Sequence, residues 1–389
     1  MDFDDTPEEA AFRLEVRAWL EAHAPVKGGP EDFSTGFLEN TMDPAEFNRR
    51  VKSWQELLVD EGWAGITWPA AYGGRGGTAM QNVIWGQEAG QFGVTVNNYA
   101  VGIGMAGPTI LRHGTDEQKQ RYLRPMLRGD EVWCQLFSEP DAGSDLAALA
   151  TRATPVDGGW RLSGQKVWTS YAQAARWGIC LARTDADAPK HRGISYLVVD
   201  MQAPGIDVRP LRQITGETEF NEVFLDEVFV PDDHLVGGLH QGWAVANTTL
   251  AHERGTNFPF KEQVVHEVFL DELYRAAAAS GRLDDVAVAD DLADAWVRLR
   301  LLRLHNFRTL SRLGRGEEPG PESSWVKLAW TDMTQHLSST ALDVVGPSAP
   351  LWGPWERQWL WSQAASIAGG TSEIQRTIIA ERLLGLPRG

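Results

Sequence analysis

Val132-Trp133-Cys134-Gln135-Leu136-Phe137-Ser138-Glu139-Pro140-Asp141-Ala142-Gly143-Ser144-Asp145 is the stretch at which the chain changes character. Val132 to Phe137 is a short apolar run that reads as a strand, and Ser138 to Asp145 is a tight polar turn leaving it. The turn offers hydroxyls, a glycine and backbone amides that can hold a phosphate or a heterocycle. The same composition also makes an ordinary strand exit with no chemistry.

Upstream, to about Asp130, the pattern is helical. Thr6-Pro7-Glu8-Glu9 and Asp43-Pro44-Ala45-Glu46 each place a capping residue before proline, with Glu three residues on; Thr115-Asp116-Glu117-Gln118 is a third start. Downstream, to about Asp233, short strand-like runs follow one another. Trp160–Leu162 and Lys166–Trp168 flank Ser163-Gly164 as in a hairpin, and Trp177–Arg183, Ile194–Asp200 and Glu222–Val230 come after. No helical pattern intervenes, which predicts an antiparallel, barrel-like domain rather than βαβ units. From about Gly242 the chain is helical again. The last helix starts near Ser372, turns Ile374, Ile378 and Leu383 inward and stops at Gly385. The expected class is α+β, with a helical domain over 1–130, an antiparallel β-barrel domain over 131–236 and a helical domain over 237–389.

Composition narrows the function. The 389 residues carry a net charge of −17, which argues against nucleic acid and anionic membrane surfaces as partners. Cys134 and Cys180, the only cysteines, do not make a disulfide framework, so a reducing compartment is expected. No basic-then-apolar leader opens the sequence and no apolar run approaches the ~18 residues of a membrane span; a cytoplasmic location is the expectation. There is no P-loop, zinc signature or G-x-G-x-x-G fingerprint.

Glu253 stands out on the helix that starts near Gly242. Trp243, Ala246, Leu250 and Glu253 share one helical face, and the other three are apolar. A carboxylate among apolar groups is destabilised in its charged form, so its pKa rises toward the range of a useful general base. The competing reading is a structural ion pair with Arg254 or a more distant Arg. Glu217, Glu219 and Glu222 are rival carboxylates in a loop-to-strand stretch, read as solvated surface. Trp168-Thr169-Ser170 sets an aromatic beside hydroxyls, suited to a planar ligand or to the core. Gly369-Gly370-Thr371-Ser372-Glu373-Ile374-Gln375 is a glycine-rich entry to a helix N-terminus, a candidate anion site.

Taken together the segments resemble the acyl-CoA dehydrogenase family over nearly the whole chain. Ser138–Asp145 is similar to that family's T/S-E-P-G-A-G-S-D signature, Lys166–Ser170 to its K-x-W-x-T/S flavin motif, and Gly370–Gln375 to its G-T-S-x-I-Q motif. Gly62-Trp63-Ala64-Gly65-Ile66 through Tyr72-Gly73-Gly74 resembles its early helical landmark. The resemblance implies a helical domain, a β-barrel and a four-helix bundle, with FAD as cofactor. It implies Gln135, Phe137, Ser138, Trp168 and Ser170 around the flavin ring, Ser144 near flavin and acyl-CoA, and Thr371 and Glu373 toward the FAD phosphates or adenosine. Asp343 and Gly346 occupy the place of a Q-x-x-G segment that contacts a partner subunit's FAD.

The implied reaction is α,β-desaturation of an acyl-CoA thioester, with electrons passed to an electron-transferring flavoprotein. Many members carry the catalytic Glu directly before the G-T pair, where this chain has Gly369; another set, including isovaleryl- and long-chain-type enzymes, carries it on the first long bundle helix, as Glu253 does here. The Gly369 amide then serves the thioester carbonyl. Asp141 replaces a Gly, Asp343 replaces the Gln, and no R-x-x-F-G follows the base helix. A homodimer or homotetramer is implied, with a hetero-oligomer as the alternative. Two other readings stand beside the dehydrogenase: a flavin oxidase or monooxygenase on the same fold, and a non-catalytic partner subunit. The acyl group, and whether CoA or an acyl carrier protein bears it, stay open.

Overall fold

Local capping starts the helices where the sequence puts them. The Thr6 hydroxyl accepts from the Glu9 amide (3.3 Å) while the Glu9 carboxylate accepts from the Thr6 amide (2.8 Å), opening α1 (Pro7–His23). Asp43 Oδ1 accepts from the amides of Ala45 and Glu46 and opens α2 (Pro44–Asp60). Then come α3 (Ala79–Ala89), α4 (Gly107–His113) and α5 (Asp116–Arg128), the last opened by a Thr115–Gln118 capping box. The computed structural model describes residues 5–34, 42–255, 258–313, 315, 320–346 and 353–387; side chains of residues 253–262 and 313 lie outside that description.

The middle of the chain is one sheet: β1 (Trp133–Leu136), β2 (Arg152–Val156), β3 (Gly159–Ser170), β4 (Trp177–Arg183), β5 (Ile194–Asp200), β6 (Ile206–Pro210), β7 (Phe220–Pro231) and β8 (Leu235–Val236). The order is β6-β7-β3-β2-β4-β5-β8, with β1 added beside β4. This corrects the expected antiparallel barrel in two ways. Among the described residues the sheet does not close, and β1 and β2 each run parallel to β4. The chain leaves β1 through the Ser138–Asp145 turn and returns to β4 only after two further strands, so it comes back in the same direction.

The expected hairpin at Ser163-Gly164 is also corrected. Both flanks belong to β3, and the register shift between Leu162 and Gly164 is a bulge. A Cβ at Gly164 would lie 2.8 Å from Thr151 Cα, which is why the kink carries glycine. The hairpin is one step earlier: Val156 pairs with Gly159 across Asp157-Gly158, with Gly158 at φ +75°.

After the sheet follow α6 (Gly242–Gly255), α7 (Phe258–Ala279), α8 (Val286–Leu313), α9 (Glu322–Val345), α10 (Pro354–Ser362) and α11 (Ser372–Ile378). No described helix is long and apolar enough to cross a membrane. Packing divides the chain into two units. One comprises Lys52–Gly76 and Val96–Glu253, the other Met1–Val51, Gly77–Thr95 and Arg254–Gly389.

In the sheet unit, β4 and β5 are buried along nearly their whole length, as their unbroken apolar runs require. Leu136, Leu162, Cys180, Leu197 and Val223 share their core. Tyr122 of α5 meets Trp133 and Trp177 edge-on, each with centroids 5.3 Å apart. In the other unit Phe269 and Leu273 of α7, Leu299 and Leu302 of α8, and Trp330 and Leu337 of α9 form the bundle core. There Arg13 and Arg17 of α1 both bond the buried Glu88 of α3 at 2.9 Å.

Candidate active site

The signature turn is held from beneath by a buried ion pair. Glu139 and Ala142 exchange backbone hydrogen bonds across Pro140-Asp141, which closes the turn. The Glu139 side chain points inward, its two oxygens accepting from the amides of Ala150 (2.6 Å) and Thr151 (2.9 Å). Lys166, fully buried on β3, donates to Glu139 Oε1 (2.8 Å), to the Leu181 carbonyl on β4 (2.8 Å) and to the Phe137 carbonyl at the exit of β1 (3.1 Å). All three ammonium donors are therefore used. Burial alone would raise the Glu139 pKa; Lys166 and the loop amides outweigh it and hold the carboxyl below its ordinary value.

Just past Lys166 the strand leaves its partner. The register with β7 breaks between Lys166 and Thr169, and the Val167 amide donates instead to the Ser138 carbonyl (2.9 Å). Trp168 then sits at φ +60°, a left-handed conformation costly for a bulky L-residue. Its indole is 62% exposed, touched edge-on by Phe220 at 6.0 Å. Downstream, Asn221 Nδ2 donates to the Thr169 carbonyl (3.0 Å) and fixes the other side of the bulge. A strained backbone that displays an indole to solvent is the opposite of core packing.

The other residues named from the sequence in this unit behave differently from one another. Ser138 and Ser170 are half-buried and Ser144 is exposed, and none of the three hydroxyls is hydrogen-bonded among the described residues. Gln135 is half-buried on β1. Phe137 is a core residue, packed edge-on against Tyr196 at 5.9 Å, and it is its carbonyl that serves the Lys166 clamp. Glu217, Glu219 and Glu222 are half-buried rather than solvated, and Glu222 accepts from Gln165 (3.0 Å).

Glu253 belongs to α6, and its side chain lies outside the described residues. The buried face of that helix differs from the expected one. Gly242, Val245, Ala246 and Thr249 are buried, whereas Trp243 and Leu250 are half-exposed on the flank. Trp243 packs against His191 at 4.8 Å. Gly242 sets the face: a Cβ there would lie 2.6 Å from Ser195 Cα, so only glycine lets α6 start this close to β5. Thr249 closes the face with a buried hydroxyl chain, its Oγ1 lying 2.8 Å from Thr109 Oγ1 and 3.2 Å from Tyr196 Oη. Position 253 is one turn beyond Thr249 on the same stripe.

In the other unit the glycine-rich segment forms a tight loop. Gly369 and Gly370 adopt φ of +65° and +93°. Gln375 Nε2 donates back to the carbonyls of Gly369 (3.0 Å) and Gly370 (3.1 Å). This corrects the expected inward face of α11: Ser372 and Gln375 are buried, while Leu383 is exposed. The helix starts at Ser372 as expected, with Thr371 as its cap accepting from the Ile374 amide (3.3 Å). Among the described residues Gln375 Oε1 is buried without a partner, and the Gly369 amide donates to none of them. Glu373 is exposed, its carboxyl kept below the usual range by its own amide and by the Thr371 hydroxyl. Asp343 is exposed in the last turn of α9 with its carbonyl taken by Arg282 (2.7 Å), and Gly346 caps that helix at φ +68°.

In the sheet unit the exposed indole and the hydroxyls without described partners suit a planar ligand; in the other unit the glycine-lined amides suit an anion. Sequence reasoning missed the Glu139–Lys166 pair, Thr249 and Gln375. Lys166 directly before the apolar pair Val167-Trp168 was the available signal for the first.

Three family models match in chain order: acyl-CoA dehydrogenase N-terminal domain over residues 6–130, middle domain over 134–228 and C-terminal domain over 240–384. Acyl-CoA dehydrogenase FadE34 of Mycobacterium tuberculosis (strain ATCC 25618 / H37Rv) is 45% identical over 344 residues, covering 86% of this chain. The chain spans just under half, 46%, of that relative. Among solved structures, the Tcur3481-Tcur3483 steroid ACAD superposes with TM-score 0.84 at 28% identity over 100% of both chains. The ChsE4-ChsE5 complex from Mycobacterium tuberculosis does so with TM-score 0.81 at 29% identity, also over 100% of both.

Proposed function

The chain belongs to the acyl-CoA dehydrogenase family, whose members depend on FAD, and from that premise we propose that it desaturates an acyl-CoA thioester between its α and β carbons. The observation that carries the reading is Trp168, an indole displayed by a strained backbone between Ser138 and Ser170. Ser138, Trp168 and Ser170 would border the flavin ring, and Thr371 and Glu373 its phosphate or adenosine end. When bound, FAD supplies the acceptor for the β-hydride.

Glu253 removes the α-proton. Its position on α6, one helical turn beyond the buried Thr249, supports this. The Gly369 amide polarises the thioester carbonyl, a role its lack of any described acceptor supports; such a donor contributes about 3–4 kcal/mol to the transition state. Gly369 in place of a carboxylate also frees volume. A ring-bearing acyl group is the substrate class we favour, in keeping with the steroid named for one structural relative.

Electrons pass to an electron-transferring flavoprotein. A second, different chain completes the FAD site; the missing R-x-x-F-G, the Asp at 343 and the two-protein complex among the relatives support that assembly. The test is anaerobic bleaching of the bound flavin at about 450 nm by short, branched, long and steroid-type acyl-CoAs. Bleaching by one class supports the reading. A flavin-loaded protein bleached by none overturns it.

A further inference from the structure

We propose that the buried Lys166–Glu139 pair is the positioning device that holds Trp168 in its left-handed, outward-facing conformation and so shapes the cofactor wall. The inference rests on the reading that Trp168 borders FAD. It concerns two residues that touch neither cofactor nor substrate in that reading.

A charged pair is a poor choice for stability alone. Two groups taken out of water lose hydration that their attraction barely recovers, and apolar side chains of the same volume do as well or better. What the pair supplies is directional. Lys166 binds three oxygens on three separate segments, the exit of β1, the signature turn and β4. Glu139 reaches a fourth, the Ala150-Thr151 loop. The strand leaves its register with β7 immediately after Lys166, and the Val167 amide crosses to Ser138. Trp168 therefore lies between two fixed points, the Lys166 clamp upstream and the Asn221–Thr169 bond downstream. Freed from the first, the bulge can relax toward an ordinary extended strand, which turns the indole to the other face of the sheet.

Four proteins test this: Lys166→Met, Glu139→Gln, the double variant, and Trp168→Ala as control. FAD dissociation constant, bound-flavin fluorescence, amide exchange at Val167 and thermal midpoint are measured on each. Lys166→Met leaves a buried carboxylate unpaired, so its midpoint falls, Val167 exchanges faster and FAD binds at least about tenfold more weakly. The double variant holds no buried charge, and its glutamine oxygen still accepts from one of the two loop amides. Its midpoint lies above that of Lys166→Met while FAD affinity and flavin fluorescence stay altered. Should Lys166→Met fail to fold, the double variant carries the test. If the double variant regains both midpoint and FAD affinity, the pair is structural only and the inference is overturned. If Trp168→Ala leaves affinity and fluorescence unchanged, the assignment of Trp168 to the flavin wall fails first, an outcome distinct from failure of the clamp.

Discussion

Thr249 on α6 and Thr109 on α4 share a 2.8 Å bond between two fully buried hydroxyls. Thr109 passes the chain on to the Met105 carbonyl (2.8 Å) and Thr249 to Tyr196. The helix that bears Glu253 is thus keyed in rotation by a polar lock one turn before that residue. Thr249→Val keeps the shape but takes a buried partner from both Thr109, which retains its bond to Met105, and Tyr196. It should cost about 1–3 kcal/mol, read as a lower denaturant midpoint at unchanged slope.

Gly242→Ala attacks the same helix at its start. The added methyl meets the Ser195 backbone, which cannot give way as a side chain would. A loss of about 1–3 kcal/mol is expected, and thermal denaturation measures it. An unchanged midpoint would mean that α6 has room to lift from β5.

Glu253→Gln should abolish substrate bleaching. Loss of a positioned base lowers the single-turnover rate by about 10²–10⁴-fold while FAD content stays at the wild-type level. Wild-type bleaching by the variant would reassign the base to another group.

Trp168→Gly separates stability from cofactor binding. The indole is mostly exposed and its backbone left-handed, so glycine removes strain and little packing. The FAD-free protein should become more stable, by about 1 kcal/mol, while its affinity for FAD falls. Calorimetry of the FAD-free form with an FAD titration checks both arms.

Glu88 sets the acid limit of the bundle unit. Burial alone would raise its pKa, but Arg17 and Arg13 hold it below the ordinary 4.5. A carboxyl lowered by folding stabilises the protein above that unfolded value, and the contribution is lost as pH falls through the lower folded value. The thermal midpoint should therefore drop as pH is taken below about 4.5, and Glu88→Gln should flatten that limb while lowering the midpoint at neutral pH.

Features set by neighbouring residues were legible in the sequence. Thr6, Asp43 and Thr115 cap the helices they precede because a cap needs only the next turn of chain. Features that need a second segment were not. Ser163-Gly164 reads as a turn because glycine marks turns and bulges alike, and only Thr151, packed on it, tells them apart. The face of α6 was drawn from apolar spacing, which passes over Thr249; a threonine counts as polar until Thr109 and Tyr196 are there to satisfy it. Lys166 and Glu139 are 27 residues apart, and nothing local tells either that the other is within 2.8 Å. The motif residues themselves were found by resemblance, and the structure adds why Trp168 among them is exposed.

An open sheet has a consequence for life in a crowded solution. A strand at the rim carries unsatisfied backbone groups that invite another molecule to add a strand, the first step toward aggregation. β6 is such a rim, yet Asp207 and Arg209 pair on its exposed surface at 2.7 Å and Pro210 ends it without an amide proton. Charge and proline there act as gatekeepers, so the chain can leave its sheet open without becoming a template for its own polymerisation.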